Sequence, residues 1–301
     1  ALSLTNWTHA TVRNCKFVCD QIDSFTAGFG DSGITTNKVN GSLVEHCYFQ
    51  GQKDLGIYHT ADPANNPSIA ANEHIVRDNT FYRCTGAAAS KRLADRFIAT
   101  NNYVRECSTG FAFTGETQTY LHAPNAMFIG NVGKKLISRL VHVGVGVRAI
   151  VIGNQLEDWA RSVFDGTTLI GSTVTAFQSA GSKNGIWIGN SAELKDWADD
   201  VTISAFRFGE DTVTSGTFQS TGHYFIGNYA KGCALGILEL NSSSGNHGEI
   251  FVKDVTTPVT LASGSTSKFG VLKDDGTKTV AASGVAFPAT QAASSDANTL
   301  D

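Results

Sequence analysis

Along most of the chain a short block recurs in which an apolar residue is followed three positions later by Asn or Cys, and often two positions after that by a second apolar residue. The copies are Val12–Phe17, Val44–Phe49, Val76–Phe81, Ile98–Tyr103, Phe128–Gly133, Val151–Leu156, Trp187–Ala192 and Phe225–Ala230. Their fourth residues form the column Cys15, Cys47, Asn79, Asn101, Asn131, Asn154, Asn190 and Asn228, at spacings of 22 to 38 residues. A unit of about 22 residues is too short for a four-stranded propeller blade, and the flanking segments alternate instead of following a helical period. Three short strands per turn fit that length. The pattern predicts an all-β fold, a single-stranded right-handed parallel β-helix of about nine coils.

In such a solenoid, identical residues of successive coils fall in register at the strand spacing of about 4.8 Å. The Asn column then becomes a ladder in which side-chain amides bond to their counterparts above and below and to the turn backbone. A second apolar stretch follows each block: Leu55–Tyr58, Gly110–Phe113, Arg139–His142, Ser162–Asp165, Val201–Ile203 and Leu235–Leu238. Longer coils carry excursions at Thr60–Ala71, Gly115–Asn125, Ile170–Gly185 and Phe208–Gly222. The predicted organisation is a β-helix over residues 1–271, with an extended C-terminal connector over 272–301.

Composition supports short strands joined by tight turns, with 31 Gly, one Met and five Pro. Charged residues make up 17 % and the net charge is −4, which offers no basic stripe to a nucleic-acid backbone. There is no run of 18 apolar residues for membrane insertion, and the first residues lack the pattern of a signal peptide. The six cysteines form no C-x-x-C pair and are expected as free thiols, consistent with synthesis in a reducing cytosol. Val143–Val147 contains G-x-G without the setting of a nucleotide site. Neither a zinc-protease nor a serine-hydrolase motif is present, so no cofactor and no metal are expected.

Candidate chemistry therefore rests on register. Aligning the second strands by Ile57, Phe111, Leu140, Val163, Val201 and Ile237 places His59, Phe113, His142, Asp165, Ile203 and Glu239 in one column. Asp165 and Glu239, two coils apart, fall roughly 9 to 10 Å from each other. That separation suits the acid and base of an inverting glycoside hydrolase, although residues two apart on a strand share the face of their apolar neighbours. His142, Arg139 and Asp200 are candidates to assist. Arg207, Glu210 and His59 are candidates to bind substrate. Asp158-Trp159-Ala160 and Asp196-Trp197-Ala198 occupy matching places, and Trp159 and Trp197 would offer indole faces to sugar rings if they point outward.

The blocks resemble those of the pectin-lyase-type β-helix superfamily, over roughly residues 10–260. The segments Val285–Gln291 and Ser294–Asp301 resemble a connector of bacteriophage tail proteins that precedes a further C-terminal module. This resemblance to tailspike and tail-fibre proteins implies a homotrimer in the virion tail, in contact with other phage tail proteins and acting outside the cell. It implies binding and often cleavage of bacterial surface polysaccharide, with a distal module expected beyond residue 301. Hydrolysis by Asp165 and Glu239 is the leading expectation. A lyase with His142 as base and a non-catalytic receptor-binding or structural tail protein are the alternatives.

Overall fold

The computed structural model describes residues 1–19, 32–60, 71–91, 94–114, 125–145, 148–160, 173–195, 202–213, 216–241 and 243–282. Those residues form strands and turns with no helix. Strand pairing is parallel except in two hairpins. One sheet stacks Leu2–Thr5, Ile34–Asn37, Leu55–Thr60, Gly86–Lys91, Thr109–Thr114, Val141–Val143, Thr173–Ala180, Thr202–Val213, Leu235–Glu239 and Thr257–Thr260 in chain order. We refer to it as the first sheet. The other sheet turns at the asparagine position into two walls. One wall includes Ser42–Glu45, Ala71–Arg77, Ala94–Thr100, Asn125–Ile129 and Arg148–Ile152, and the other Tyr48–Gln50, Thr80–Tyr82, Tyr103–Arg105, Val132–Leu136 and Gln155–Trp159. The chain is thus an all-β stack of parallel strands, an arrangement compatible with a solenoid.

The ladder forms with one change of member. Asn79, Asn102, Asn131, Asn154, Asn190 and Asn228 stack with their side chains buried, and each of the first five amide nitrogens donates to the next amide oxygen at 2.9–3.1 Å. Each nitrogen also reaches a carbonyl of the preceding layer, as Asn154 does to Phe128 at 2.7 Å. Asn102 takes the place expected for Asn101, because Ala99, not Ile98, is the inward residue in register with Val76. Asn101 instead holds the left-handed turn position before the ladder, with φ 53°, as Asn14, His46, Asp78, Gly130, Gly153, Gly189 and Gly227 do in other layers. Gly, Asn and Asp tolerate that conformation, which explains the choice of residue there.

Inside, rings stack along the axis. Phe17, Phe49 and Phe81 lie 4.9 Å apart, nearly parallel, and Phe177 and Phe206 lie 5.1 Å apart. Where the Phe49 and Phe81 rings reach the first sheet, Gly33 and Gly56 leave room, since a Cβ on either would fall within 2.8 Å of a ring carbon. All six cysteines are free thiols.

Two expected excursions are structured. Thr173–Ala180, assigned above to a loop, is a strand of the first sheet, between Val141–Val143 and Thr202–Val213. The excursion after Phe208 is a hairpin in which Glu210–Val213 pair antiparallel with Gly216–Gln219. At the other end, Lys268–Lys273 runs past residue 271 and turns back antiparallel into Lys278–Ala282.

The two walls of the second sheet differ in their outward chemistry. On the first, Leu43, Ile75, Ile98, Met127, Ile150 and Ile186 form one in-register column, and Ile129, Ile152, Ile188 and Ile226 a second. On the other wall, Lys134 pairs with Glu157 at 3.2 Å, Lys195 also pairs with Glu157, and Lys231 pairs with Glu193. The first wall therefore carries an outward aliphatic stripe, flanked by the ion pairs Arg77–Glu45 and Arg96–Glu73, whereas the second carries lysine–glutamate pairs.

Candidate functional site

The first sheet brings a third chemistry to the surface. Val141 and Val143, Phe177 and Ser179, and Phe206 and Phe208 are all buried in the core, so the residues between them, His142, Gln178 and Arg207, point away from it, with Gln178 itself only 7 % exposed. These three pair in register on adjacent strands. Strand spacing puts their backbones about 4.8 Å apart. Arg139, in the bend before Val141, donates from Nη1 to the Gln178 side-chain oxygen. Burial pulls the Arg207 guanidinium below its ordinary range, and its Nε is buried without a hydrogen-bond partner. Expected site residues Arg139, His142 and Arg207 thus come together. Gln178 was missed because its strand was read as a loop.

The register differs from the expected one by a single residue at this point. Val141, not Leu140, stands in line with Phe111, so His142 falls on the outward face and leaves the column of His59. Its register partners are Ala112 and Gln178. Asp165, Asp200 and Trp197 lie outside the described residues, as does the side chain of Glu210, whose backbone pairs with Gln219.

Three candidates are turned inward. Glu239 is 1 % exposed and pairs in register with Phe208. Its carboxylate accepts from Asn246 Nδ2 at 2.7 Å, Ser267 Oγ at 2.6 Å and Ser265 Oγ at 2.7 Å. A buried acceptor saturated in this way is a structural tie, and it presents no oxygen to a polymer outside. His59 is fully buried, with Nδ1 2.8 Å from Thr36 Oγ1 and its ring stacked on His74. Trp159 is fully buried in the core and offers no face to a sugar. His59 and Glu239 share the parity of the core residues on their strands, while Asp158, at φ 55°, turns Trp159 inward three positions after Leu156.

A second polar cluster lies wholly inside. Ser179 Oγ is 2.7 Å from both Ser182 Oγ and Ser220 Oγ and 3.1 Å from His223 Nε2. His223 Nδ1 accepts from the backbone N–H of Gly185 at 3.0 Å, and burial lowers this histidine to about 4. These groups are completely buried, so the cluster satisfies core polarity and meets no solvent. Among the described residues no set of three or more His, Cys, Asp or Glu side chains is close enough to hold a metal ion. An apolar cleft of about 240 Å³ sits on the second sheet, lined by residues including Tyr229, Phe251 and Leu272, and shares none of the first sheet's outward donors.

Comparison of the chain with family models, curated proteins and solved structures finds no match.

Proposed function

We propose that this chain is a right-handed parallel β-helix of the phage tailspike type, and that it binds bacterial surface polysaccharide on the outward face of its first sheet. The carrying observation is the in-register run of His142, Gln178 and Arg207 with Arg139 beside it. Donors repeating at the strand spacing suit a polymer whose groups also repeat, and an extended sheet face gives it a flat track.

The aliphatic wall supports the expected homotrimer. Ten outward aliphatic side chains in two columns make a surface that water solvates poorly, and Ile226 is 48 % exposed. A second copy of the chain repeats at the same spacing, so its columns interdigitate along the whole length. The ionic wall would then face solvent.

Cleavage by elimination is the second reading, favoured over hydrolysis by where the residues lie. Glu239 is sealed inside, whereas the His142 imidazole stands on the outward face with Arg207 and Arg139 nearby. In that reaction a base takes the C5 proton of a uronate, the C4–C5 double bond forms and the C4–O bond breaks, its oxygen leaving with a proton. A cation on the carboxylate makes the C5 proton acidic enough to remove.

The test is incubation of the purified protein with a panel of bacterial polysaccharides, reading retention on immobilised polymer, reducing ends and ultraviolet absorbance of unsaturated uronates. Retention without new ends identifies a binder, and new ends with absorbance identify a lyase. New ends without absorbance return hydrolysis, and no retention on any polymer overturns the proposal.

A further inference from the structure

We infer that Gln178 and Arg207 form a seat for an oxyanion, so that the polymer bound on the first sheet is acidic, carrying a carboxylate or phosphate on its repeating unit. The inference rests on the polysaccharide reading above and names its substrate class.

Arg207 stands apart from the five arginines that pair with carboxylates, and from Arg148, which has no such partner among the described residues either but is exposed to water. Acidic residues outnumber lysine and arginine 27 to 23, and carboxylates are at hand for most arginines of the walls. Arg13 and Arg77 share Glu45, Arg83 and Arg105 share Glu106, and Arg96 takes Glu73. Arg207 is partly buried and pairs with no carboxylate among the described residues, and its Nε, cut off from water, has no acceptor. A desolvated guanidinium N–H without an acceptor is unfavourable, and no packing role requires a cation on an outward strand position. An anionic ligand supplies what is missing.

Its neighbour has the complementary property. The Gln178 oxygen is already taken by Arg139, which leaves the amide N–H groups as what this side chain offers a ligand. Gln178 and Arg207 are direct register partners, so an amide donor and a guanidinium fork sit side by side. Two positions further along the same strands stand Ala180 and Gly209, also paired, and neither has a side chain long enough to reach over the donors. Donors without an acceptor select an oxyanion over a neutral hydroxyl, which needs an acceptor for its own proton.

The test uses a panel of uronate-bearing, phosphate-bearing and neutral bacterial polysaccharides, with a carboxyl-reduced form of each uronate polymer. Wild-type protein is expected to bind an acidic polymer and to lose at least about tenfold in affinity as salt rises from 50 to 200 mM. Carboxyl reduction abolishes binding if the anion is a carboxylate and leaves it intact if it is a phosphate. Arg207→Gln lowers affinity by about tenfold to a hundredfold with an unchanged melting temperature, while Arg207→Lys keeps most of it. Should Arg207→Gln fold poorly, Gln178→Glu places a negative charge in the seat and must by itself abolish acidic-polymer binding. Wild-type affinity in a folded Arg207→Gln or Gln178→Glu protein, or tight binding of a neutral polymer, overturns the acidic seat and leaves the polysaccharide reading standing. Failure to bind any polymer overturns both.

Discussion

The imidazole rings of His59 and His74 stack face to face in the interior, with centroids 4.1 Å apart and planes 9° from parallel. Each Nδ1 has a hydroxyl partner, Thr36 at 2.8 Å and Ser42 at 2.7 Å. The pair ties the first sheet to the aliphatic wall. Burial lowers His74 to about 4, and burial followed by the neighbouring ring holds His59 well below the ordinary range.

These histidines make the fold acid-sensitive above the range where carboxylates titrate. Each is neutral when folded, and an unfolded chain binds protons as pH drops below about 6.5. Their contribution is therefore complete above pH 6.5 and is lost as pH falls towards 4, where His74 and His223 take up protons in the folded state. A shift of that size corresponds to roughly 3 kcal/mol for each of these two. Glu45, held below its ordinary value by its hydrogen bond from Arg77, adds stability that is lost as pH falls below the usual carboxylate range. Thermal melting between pH 8 and 4 is expected to fall steadily below 6.5, and less steeply in His74→Gln. A melting temperature constant down to pH 4.5 would contradict the buried neutral pair.

Asn154→Ala breaks the ladder at its middle. It strands Asn131 N–H and the Asn131 amide, which both donate to Asn154 Oδ1, and leaves the Phe128 carbonyl without its 2.7 Å donor. Unpaired buried groups cost about 1–3 kcal/mol each, so a loss of at least about 3 kcal/mol is expected in denaturant unfolding. Asn101→Asp, at the exposed turn, is expected to stay within about 0.5 kcal/mol of wild type. Equal effects at the two positions would remove the distinction between ladder and turn.

Glu239→Ala is expected to destabilise the protein by about 3 kcal/mol or more, because Asn246, Ser265 and Ser267 lose a shared buried acceptor. Glu239→Gln, which keeps the shape, is expected to leave polysaccharide binding and any cleavage at wild-type levels. Loss of cleavage in folded Glu239→Gln protein, with binding retained, would restore this carboxylate to the chemistry.

Ile152→Lys combined with Ile188→Lys places two charges in the aliphatic column, where the residues are direct register partners. Sedimentation is expected to show the assembly shifted from trimer towards monomer, with the strand signature in circular dichroism retained. Glu193→Lys on the ionic wall, a change of similar size in charge, is expected to leave the assembly intact. The reverse pattern would move the subunit contact to the ionic wall.

The repeat, the inward apolar positions and five of the six ladder asparagines were legible in the chain, because in-register stacking turns a local pattern into a long-range contact: each layer rests on the same block one repeat away. Asn101 against Asn102 and Leu140 against Val141 were not, since adjacent residues of similar character suit either parity and a one-residue slip reverses every side chain's face. That parity decided the candidate site. It sent Glu239 and His59 into the core and set His142 outside beside Gln178 and Arg207, while the left-handed Asp158 turned Trp159 inward. The Thr173–Ala180 strand completed the arrangement by pairing from a stretch without a repeat block, and only the surrounding layers determine where such a segment docks.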